Sequence, residues 1–329
     1  MTPKRLSPGS RILITGAAGF IGARTVELAR IKGHEVVSVD SEPFFSARSE
    51  HHGLDFGRVV DLEKLFQEWD AGNLGKIDGV IHLGAITDTT EMNVELLRKL
   101  NIEYSQKLWE RATRLQIPLV YASSAATYGE GEKGYSDNEA LIPELRPLNP
   151  YGESKRLFDL WALDEEKAGR APPAWAGFKF FNVYGFGERH KGKMASVILH
   201  SYDKIKRDGT ARLFRSHRDG IADGEQKRDF ISVEDVIKVL FFALEKPIRR
   251  GIFNLGTGQA RSFLDLARAT FQALGLPEKI EWVDTPVELR ERYQYFTEAR
   301  MSKLANEGYQ EPFLNLEDGV ARYLTRLRD

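Results

Sequence analysis

The sequence predicts an α/β fold: a doubly wound parallel sheet with a smaller α/β lobe towards the C-terminus. Two observations carry this prediction. Strand-like apolar runs alternate with helical patterns as far as residue 183, and a glycine-rich turn directly follows the first of these runs. Such alternation favours right-handed crossover units, which make the strands parallel. Ligands of these sheets bind at the carboxyl ends of the strands.

The predicted elements follow in a regular order up to residue 183 and less regularly beyond it. Apolar runs with strand character lie at 11–15, 35–39, 79–83, 118–123 and 177–183. Helical patterns begin near Phe20, Asp61 and Tyr151, and a long one covers 92–115. Further on we predict a helix at 193–207, a polar glycine-dotted loop at 215–229, a strand at 253–256, and helices at 262–274 and 315–328.

Composition and charge argue against several classes of function. The 329 residues carry a net charge of -1, so no overall field favours nucleic acid or an anionic membrane surface. The absence of cysteine excludes thiolate catalysis and fits a reducing compartment. The seven histidines show no metal-ligand spacing with carboxylates, so we expect no metal. The polar start and the lack of any apolar run of about 18 residues predict a cytoplasmic protein that does not bind membranes.

A glycine-rich stretch, "ILITGAAGFIGARTVELA", places Gly16, Gly19 and Gly22 between a predicted strand and a predicted helix. Glycines at these positions permit a tight turn and bring a pyrophosphate close to the N–H groups of the helix N-terminus. The spacing is G-x-x-G-x-x-G rather than the commoner G-x-G-x-x-G, and a purely structural turn is the alternative. The pattern predicts a dinucleotide site.

Three charged residues after this turn bear on which dinucleotide binds. Asp40 ends the second predicted strand, where a carboxylate accepts hydrogen bonds from the adenosine ribose; capping a turn is its alternative role. A carboxylate there favours NAD, whereas Arg48 would suit a 2′-phosphate, so both cofactors stay open. Asp61 would contact adenine or N-cap the following helix.

Tyr151 and Lys155 stand four residues apart at the start of a predicted helix, so their side chains share one face. Ser124 ends an earlier predicted strand, directed at the same edge of the sheet. A phenol has a pKa of about 10, but a neighbouring ammonium favours its phenolate. Tyr151 could then take the proton of a substrate alcohol while hydride leaves for a nicotinamide. A surface Tyr–Lys pair is the alternative, and the glycine-rich turn argues against it.

These motifs resemble those of the extended short-chain dehydrogenases/reductases, the class that contains nucleotide-sugar epimerases and dehydratases. More narrowly, the chain is similar to the family of ADP-L-glycero-D-manno-heptose 6-epimerases over nearly its full length. The stretches that carry the resemblance are "GFIGA" (19–23), "YASSAATYG" (121–129), "PYGESK" (150–155), "FNVYG" (181–185), "HKGKMAS" (190–196), "KRDF" (227–230), "GIFNLGTGQARSF" (251–263) and "RYQYFTEA" (292–299).

The resemblance implies an isomerase of lipopolysaccharide core biosynthesis that inverts C6 of the heptose in ADP-D-glycero-D-manno-heptose. It implies transient oxidation and re-reduction with bound NADP, or with NAD, and a homo-oligomer that is pentameric in relatives. The rivals are another nucleotide-sugar epimerase or dehydrogenase and a non-catalytic NAD(P)-binding regulator. The expected NAD(P)-binding Rossmann domain is 1–181 plus about 226–257, and the expected substrate lobe is about 182–225 plus 258–329.

The resemblance also implies a role for individual positions. Lys191 would be a second acid/base residue, because inversion turns the keto oxygen away from the tyrosine; binding a phosphate or solvent is its alternative. The expected catalytic residues are Tyr151, Lys191, Lys155 and Ser124. The expected cofactor contacts are Gly16, Gly19, Phe20, Ile21, Gly22, Asp40, Ser41, Arg48, Asp61, Leu83, Gly84, Ala85, Asn101, Tyr151, Lys155, Val183 and Lys191. The expected substrate contacts are Ser124, Asn182, Lys193, His200, Phe214, Arg215, Ser216, Arg228 and Tyr293.

Three of the substrate positions have structural alternatives. His200 would otherwise be a solvated residue of a helix face, and Tyr293 would pack in the core. Arg228, whose guanidinium fits paired phosphate oxygens, would otherwise form an ion pair with Asp229. The loop at 215–227 is longer than is typical of the family.

Overall fold

Runs of β-branched and aromatic residues form the predicted strands and several additional ones. The structure is a computed structural model that describes residues 6–246, 248–290 and 293–328, so Arg292 of one motif stretch lies outside the described residues. The strands are β1 (Arg11–Thr15), β2 (Glu35–Asp40), β3 (Arg58–Asp61), β4 (Gly79–His82), β5 (Leu119–Ser124), β6 (Trp175–Phe180), β7 (Asn182–Tyr184), β8 (Ala211–Phe214), β9 (Lys227–Ser232), β10 (Gly251–Leu255), β11 (Ala260–Ser262) and β12 (Ile280–Val283). The helices are α1 (Phe20–Ile31), α2 (Phe44–Ala47), α3 (Leu65–Asp70), α4 (Val94–Leu97), α5 (Tyr104–Arg114), α6 (Pro150–Lys167), α7 (Val197–Asp208), α8 (Val233–Glu245), α9 (Phe263–Leu274), α10 (Val287–Arg290), α11 (Ser302–Asn306) and α12 (Leu316–Arg326).

Seven strands pair in parallel in the order β10-β6-β5-β4-β1-β2-β3. In the register of this sheet, Thr15 at the end of β1 lies between Val39 of β2 and His82 of β4. The strand order reverses at β1, and the crevice between the carboxyl ends of β1 and β4 is the topological switch point. Strands β11, β9 and β7 form a second sheet, and β12 pairs with β8. The predicted doubly wound parallel sheet is confirmed.

Helices cover both faces of the sheet, and the two apolar cores lie beneath them. Because successive side chains of a strand point to opposite faces, Ile12 and Ile14 of β1 enter one core while Leu13 enters the other. The first core includes residues of α1 and α8, and the second includes Trp109 of α5 and Phe158 of α6. Across the described residues, no helix has both the length and the apolar character needed to cross a bilayer.

The structure departs from the predicted elements at several places. The predicted helix start at Asp61 is wrong, because Asp61 ends the unpredicted strand β3 and α3 begins only at Leu65. Helix α8, which Ser232 caps by accepting from the N–H of Glu234, was not predicted at all. The polar loop ends earlier than expected, since Lys227 begins β9. The short strands β8, β11 and β12 are also additional.

Candidate active site

The glycine-rich turn between β1 and α1 has room for no side chain at two of its three glycines. Gly16 has φ +66°, and a Cβ there would lie 2.7 Å from the backbone nitrogen of Gly84. A Cβ on Gly22 would lie 1.9 Å from the carbonyl oxygen of Gly16. The N–H of Gly19, the residue before α1, donates to the same carbonyl at 2.9 Å. This bare backbone at a helix N-terminus at the switch point fits a pyrophosphate group.

Asp40 and Arg48 lie against this turn from the side of β2. The Asp40 carboxylate accepts from the N–H of Ala18 at 3.0 Å and of Ser41 at 2.8 Å, so it does cap the strand end. The Arg48 guanidinium donates to the Ala18 carbonyl and lies 4.5 Å from the centroid of the Phe44 ring. Burial raises the pKa of Asp40 and lowers that of Arg48. The Asp40 carboxylate could accept from ribose hydroxyls and the Arg48 guanidinium could bind a phosphate, and both lie against the same turn.

Asp61, at the end of the neighbouring strand β3, caps a turn. Its carboxylate accepts from the N–H of Glu42 at 3.2 Å and of Glu63 at 2.9 Å. The predicted N-cap role is wrong, because the residue before α3 is Lys64.

Buried polar groups hold the segment Leu83–Gly84–Ala85 that follows β4. The N–H of Gly84 donates to the Thr15 hydroxyl at 3.1 Å, and that hydroxyl lies 2.6 Å from Nδ1 of His82. Burial lowers the pKa of His82 to about 3, so its imidazole is neutral at pH 7. A neutral ring can accept at one nitrogen and donate at the other, which fixes this end of the switch point without adding charge.

Asn101 connects this segment to helix α6. It is buried within a π-helical stretch, Arg98–Glu103, that joins α4 to α5. Its side-chain oxygen accepts from the N–H of Ile86 at 2.8 Å, and its amide donates to the Ile86 carbonyl at 3.0 Å and to the Ser154 hydroxyl at 2.9 Å. Single π-helical turns inserted into α-helices are frequent at functional sites.

Tyr151 and Lys155 lie in the first turns of α6, and both side chains are buried, at 8% and 6% exposure. The Lys155 ammonium donates to the Ala122 carbonyl of β5 at 2.9 Å, and burial lowers the pKa of Lys155 to about 8. Burial raises the pKa of Tyr151, while a hydrogen bond with the Ser124 side chain lowers it. The structure therefore brings the predicted serine, tyrosine and lysine together at the carboxyl end of β5.

Two functional candidates beneath this group escaped the sequence reasoning. Asp159 of α6 and Lys179 of β6 are fully buried and form an ion pair of 2.6 Å. A charge inside an apolar strand was the available signal for Lys179, because such a charge is rarely buried without a partner.

Lys191 lies in a 3₁₀ turn, Arg189–Met194, beside the end of the glycine-rich turn. Its ammonium is 5.6 Å from the centroid of the Phe20 ring, at the start of α1. Burial lowers the pKa of Lys191, and the charge of Glu188 raises it to a lesser extent. In the described parts of the chain, no hydrogen bond joins Lys191 to Tyr151, so its role as a second acid/base residue stays a prediction.

A fully buried carboxylate fixes the backbone around this turn. Glu188 accepts from the N–H of Ser196 at 2.7 Å and from its hydroxyl at 2.6 Å. Ser196 in turn caps α7. The N–H of Arg189 donates to Glu50 at 3.1 Å, which attaches the turn to the segment that carries Arg48.

Arg228 lies buried in β9, between two aromatic rings. Its guanidinium is 5.7 Å from the Phe263 centroid and 5.6 Å from the Tyr293 centroid, and burial lowers its pKa. The alternative ion pair with Asp229 is wrong: the Asp229 carboxylate accepts from the N–H and the hydroxyl of Thr257, both at 2.7 Å. Arg228 donates only to backbone carbonyls within the described residues, which suits a guanidinium that binds an anion.

Aromatic side chains border this arginine. The Tyr293 ring is 6.3 Å from Phe214, which ends β8 before Arg215 and Ser216, and 5.9 Å from His217. The Tyr295 hydroxyl accepts from the N–H of His217 at 3.0 Å, which attaches the long loop to the segment 293–299. His217 and Tyr295 were not predicted as site residues.

The other predicted positions divide into two groups. Val183 and Ile21 pack with Phe20 in a small apolar cluster at the start of α1. Asn182, Lys193 and His200 are exposed, and within the described ranges none of these three side chains forms a hydrogen bond with a predicted catalytic residue.

Comparison with known proteins decides the family. Residues 12–256 match the model of the NAD dependent epimerase/dehydratase family. The chain belongs to this family. It is 40% identical to an ADP-L-glycero-D-manno-heptose-6-epimerase of Fusobacterium nucleatum, covering 95% of this chain and 96% of the relative. It is 42% identical to the protein of the same name from Nitratidesulfovibrio vulgaris, with 95% and 96% coverage. These relatives confirm the resemblance inferred from the motifs.

Solved structures of the NAD dependent epimerase/dehydratase type agree with this fold. The chain matches the Helicobacter pylori ADP-L-glycero-D-manno-heptose-6-epimerase with a TM-score of 0.79 at 28% identity, covering 98% of this chain and 97% of that one. It matches MoeE5, solved with UDP-glucuronic acid and NAD, with a TM-score of 0.75 at 26% identity and coverage of 97% and 99%. The family and these structures support a nicotinamide cofactor.

Proposed function

We propose that this member of the NAD dependent epimerase/dehydratase family inverts C6 of the heptose in ADP-D-glycero-D-manno-heptose to give the L-glycero epimer. The observation that carries the proposal is the group formed by buried Tyr151 and Lys155 with half-buried Ser124, together with a turn that fits a pyrophosphate. The sugar and its nucleotide come from the relatives at 40% and 42% identity, whose names state this reaction.

The residues divide the chemistry among them. When bound, the nicotinamide would supply the redox chemistry, as a reversible acceptor of the hydride from the substrate carbon. Tyr151 would take the proton of the substrate hydroxyl, and Ser124 would donate a hydrogen bond to the same oxygen. The positive charge of Lys155 would favour the phenolate form of Tyr151. We propose Lys191 as the acid/base residue for the inverted orientation, since burial lowers its pKa from the ordinary value of a lysine and so eases release of its proton.

Anion recognition is the proposed role of the C-terminal residues. Arg228 would bind the diphosphate, with Tyr293 beside it and Phe214 at the nucleobase. Asn182, Lys193, His200, Arg215 and Ser216 complete the proposed substrate contacts. The substrate lobe would be about 182–225 plus 258–329, and the NAD(P)-binding domain 1–181 plus about 226–257.

We favour NADP over NAD because Arg48 is anchored at the glycine-rich turn. A guanidinium there can bind the 2′-phosphate that distinguishes the two cofactors. The preference for NADP is tested by titrating NADP and NAD into wild type and Arg48→Ala. The variant should lose at least tenfold in NADP affinity and little in NAD affinity. Equal losses of affinity for both cofactors would contradict the preference.

We further propose that the protein is a cytoplasmic homo-oligomer.

The reaction is tested by incubating the protein with ADP-D-glycero-D-manno-heptose and resolving the C6 epimers by proton NMR. We expect the L-glycero epimer to form without net cofactor reduction, and Tyr151→Phe to abolish it while still binding cofactor. If wild-type protein with bound cofactor converts none of this sugar nucleotide, the proposed substrate is wrong. Lys191→Ala should slow conversion at least a hundredfold; a 4-epimerase that uses only the tyrosine would retain its rate.

A further inference from the structure

Two buried lysines, Lys155 and Lys179, lie near one buried carboxylate, Asp159, where helix α6 packs on the sheet. Asp159 and Lys155 are four residues apart on α6, so their side chains share a face. Lys179 reaches the same carboxylate from β6. The side chains of Asp159 and Lys179 are 0% exposed, and Lys155 is 6% exposed. Only one of the two ammonium groups pairs with the carboxylate.

The pairing is unambiguous in the structure. The Lys179 ammonium donates to Oδ2 of Asp159 at 2.6 Å and to the Thr127 hydroxyl at 2.7 Å. The Lys155 ammonium donates instead to the Ala122 carbonyl at 2.9 Å. Asp159 nevertheless acts on Lys155. Burial lowers the pKa of this lysine, and the negative charge of Asp159 raises it to a smaller extent.

Two hydroxyl groups also donate to the Asp159 carboxylate. The Ser123 hydroxyl donates to Oδ2 at 2.7 Å and the Tyr121 hydroxyl donates to Oδ1 at 3.0 Å, both from β5. Tyr128 lies under the same pair, with its ring centroid 5.3 Å from the Lys179 ammonium. Burial raises the pKa of Tyr121 and of Tyr128, so both phenols stay neutral and contribute no charge.

A buried carboxylate that lost its partner would attract the nearest cation, because an unpaired charge is costly in a dry interior. Lys155 is one helical turn from Asp159 and has a flexible four-carbon stem. We propose that Lys179 is a positioning residue for the reaction proposed above: by occupying Asp159 it keeps Lys155 at the Ala122 carbonyl beside Tyr151.

The same pair also sets the charge that Tyr151 experiences. The Asp159 carboxylate raises the pKa of Tyr151, and an ammonium at 2.6 Å from that carboxylate opposes its field. Loss of Lys179 should therefore disfavour the phenolate, and loss of the Asp159 charge should favour it. These opposite signs separate a positioning role from a purely structural one.

The first test is a crystal structure of Lys179→Met, which needs no turnover. We expect the Lys155 ammonium to have left Ala122 and to lie within hydrogen-bond distance of Asp159. In Lys179→Met/Asp159→Asn, where no carboxylate attracts it, it should be back at Ala122. A Lys155 that stays at Ala122 in the single variant would refute the competition, whatever substrate the enzyme uses.

The second test is the pH dependence of kcat in the epimerisation assay. Lys179→Met should lose at least thirtyfold in kcat at pH 7 with little change in KM, and its acid limb should move to higher pH. Asp159→Asn should move that limb to lower pH, and the double variant should recover at least tenfold over Lys179→Met. Lys179→Arg keeps the charge and should keep most activity.

If Lys179→Met fails to fold, two other variants still decide the matter. Asp159→Asn should move its acid limb to lower pH. The double variant, which lacks both charges of the pair, should keep Lys155 at Ala122 and an acid limb near that of wild type. An acid limb of Asp159→Asn that does not move to lower pH, or limbs that move in the same direction in both single variants, would overturn the proposal. Wild-type protein that forms no L-glycero epimer would refute the proposed function instead, and the crystallographic comparison would still decide the pairing.

Discussion

Replacing Lys155 with methionine should stabilise the protein at neutral pH while abolishing turnover. Burial lowers the pKa of Lys155 from 10.5 to about 8. Each pKa unit corresponds to about 1.4 kcal/mol, so holding the charged form costs about 3 kcal/mol. Methionine has a similar length, and it forfeits the hydrogen bond to Ala122, which contributes about 1 kcal/mol. The variant should therefore gain about 2 kcal/mol in the free energy of unfolding at pH 7.

The pH dependence of this gain follows from proton linkage. The pKa of Lys155 in the folded protein, about 8, lies below its unfolded value of 10.5. Between these values the unfolded chain binds more protons than the folded one, so the stability of the wild type rises with pH. The cost is present in full below pH 8 and is gone above 10.5. At pH 9.5 the advantage of Lys155→Met should therefore have fallen by about 2 kcal/mol.

The assay is urea unfolding followed by tryptophan fluorescence at pH 7 and 9.5. The matched control is Lys167→Met on the same helix, whose side chain is 76% exposed and which should differ from wild type by less than about 0.5 kcal/mol at both values. Taking differences between variants cancels the titration of all other groups. A Lys155→Met variant less stable than wild type at pH 7, or with an advantage independent of pH, would refute the argument from burial.

Three further predictions concern other parts of the site. Gly22→Ala introduces a Cβ 1.9 Å from a carbonyl oxygen, so we expect at least a hundredfold loss of NADP affinity by calorimetric titration; unchanged affinity would contradict the role of the turn. Glu188→Gln should lower kcat at least tenfold with little change in NADP affinity, because one oxygen that accepts from Ser196 becomes a donor; an unchanged kcat would exclude Glu188 as an anchor of the Lys191 turn. Arg228→Leu should raise KM at least tenfold with a smaller effect on kcat, and a selective fall in kcat would argue against anion binding.

Local spacing was enough to predict the parts of the site that one segment of chain contains. The glycine turn lies between one strand and one helix, and Tyr151 and Lys155 lie one helical turn apart. Their neighbourhood follows from the backbone geometry of a few residues. Pairing between distant elements could not be predicted this way. Asp159 meets Lys179 only because β6 pairs beside β5.

The missed elements have two different causes. Strands β3, β8 and β12 are each four residues long, and such strands depend on the partner that tertiary structure supplies. Helix α8 carried a clear signal that the sequence reasoning overlooked: Ser232 precedes it as an N-cap, with Glu234 and Asp235 in the first turn. Its buried apolar face packs under the sheet, in the same core as α1.

The position of Lys191 constrains how it could act on a substrate. Its backbone is held from both sides, by Glu188 through Ser196 and by Glu50 through Arg189. Its ammonium lies at Phe20, the first residue of the helix that would bind the cofactor phosphates. A turn anchored in this way has little freedom to move, whereas the side chain of lysine has a flexible four-carbon stem. Any approach of Lys191 to the inverted substrate must therefore come from its side chain rather than from closure of the turn. Because Glu50 follows Arg48 by two residues, the turn that carries Lys191 and the segment proposed to bind the 2′-phosphate are attached to each other through one hydrogen bond.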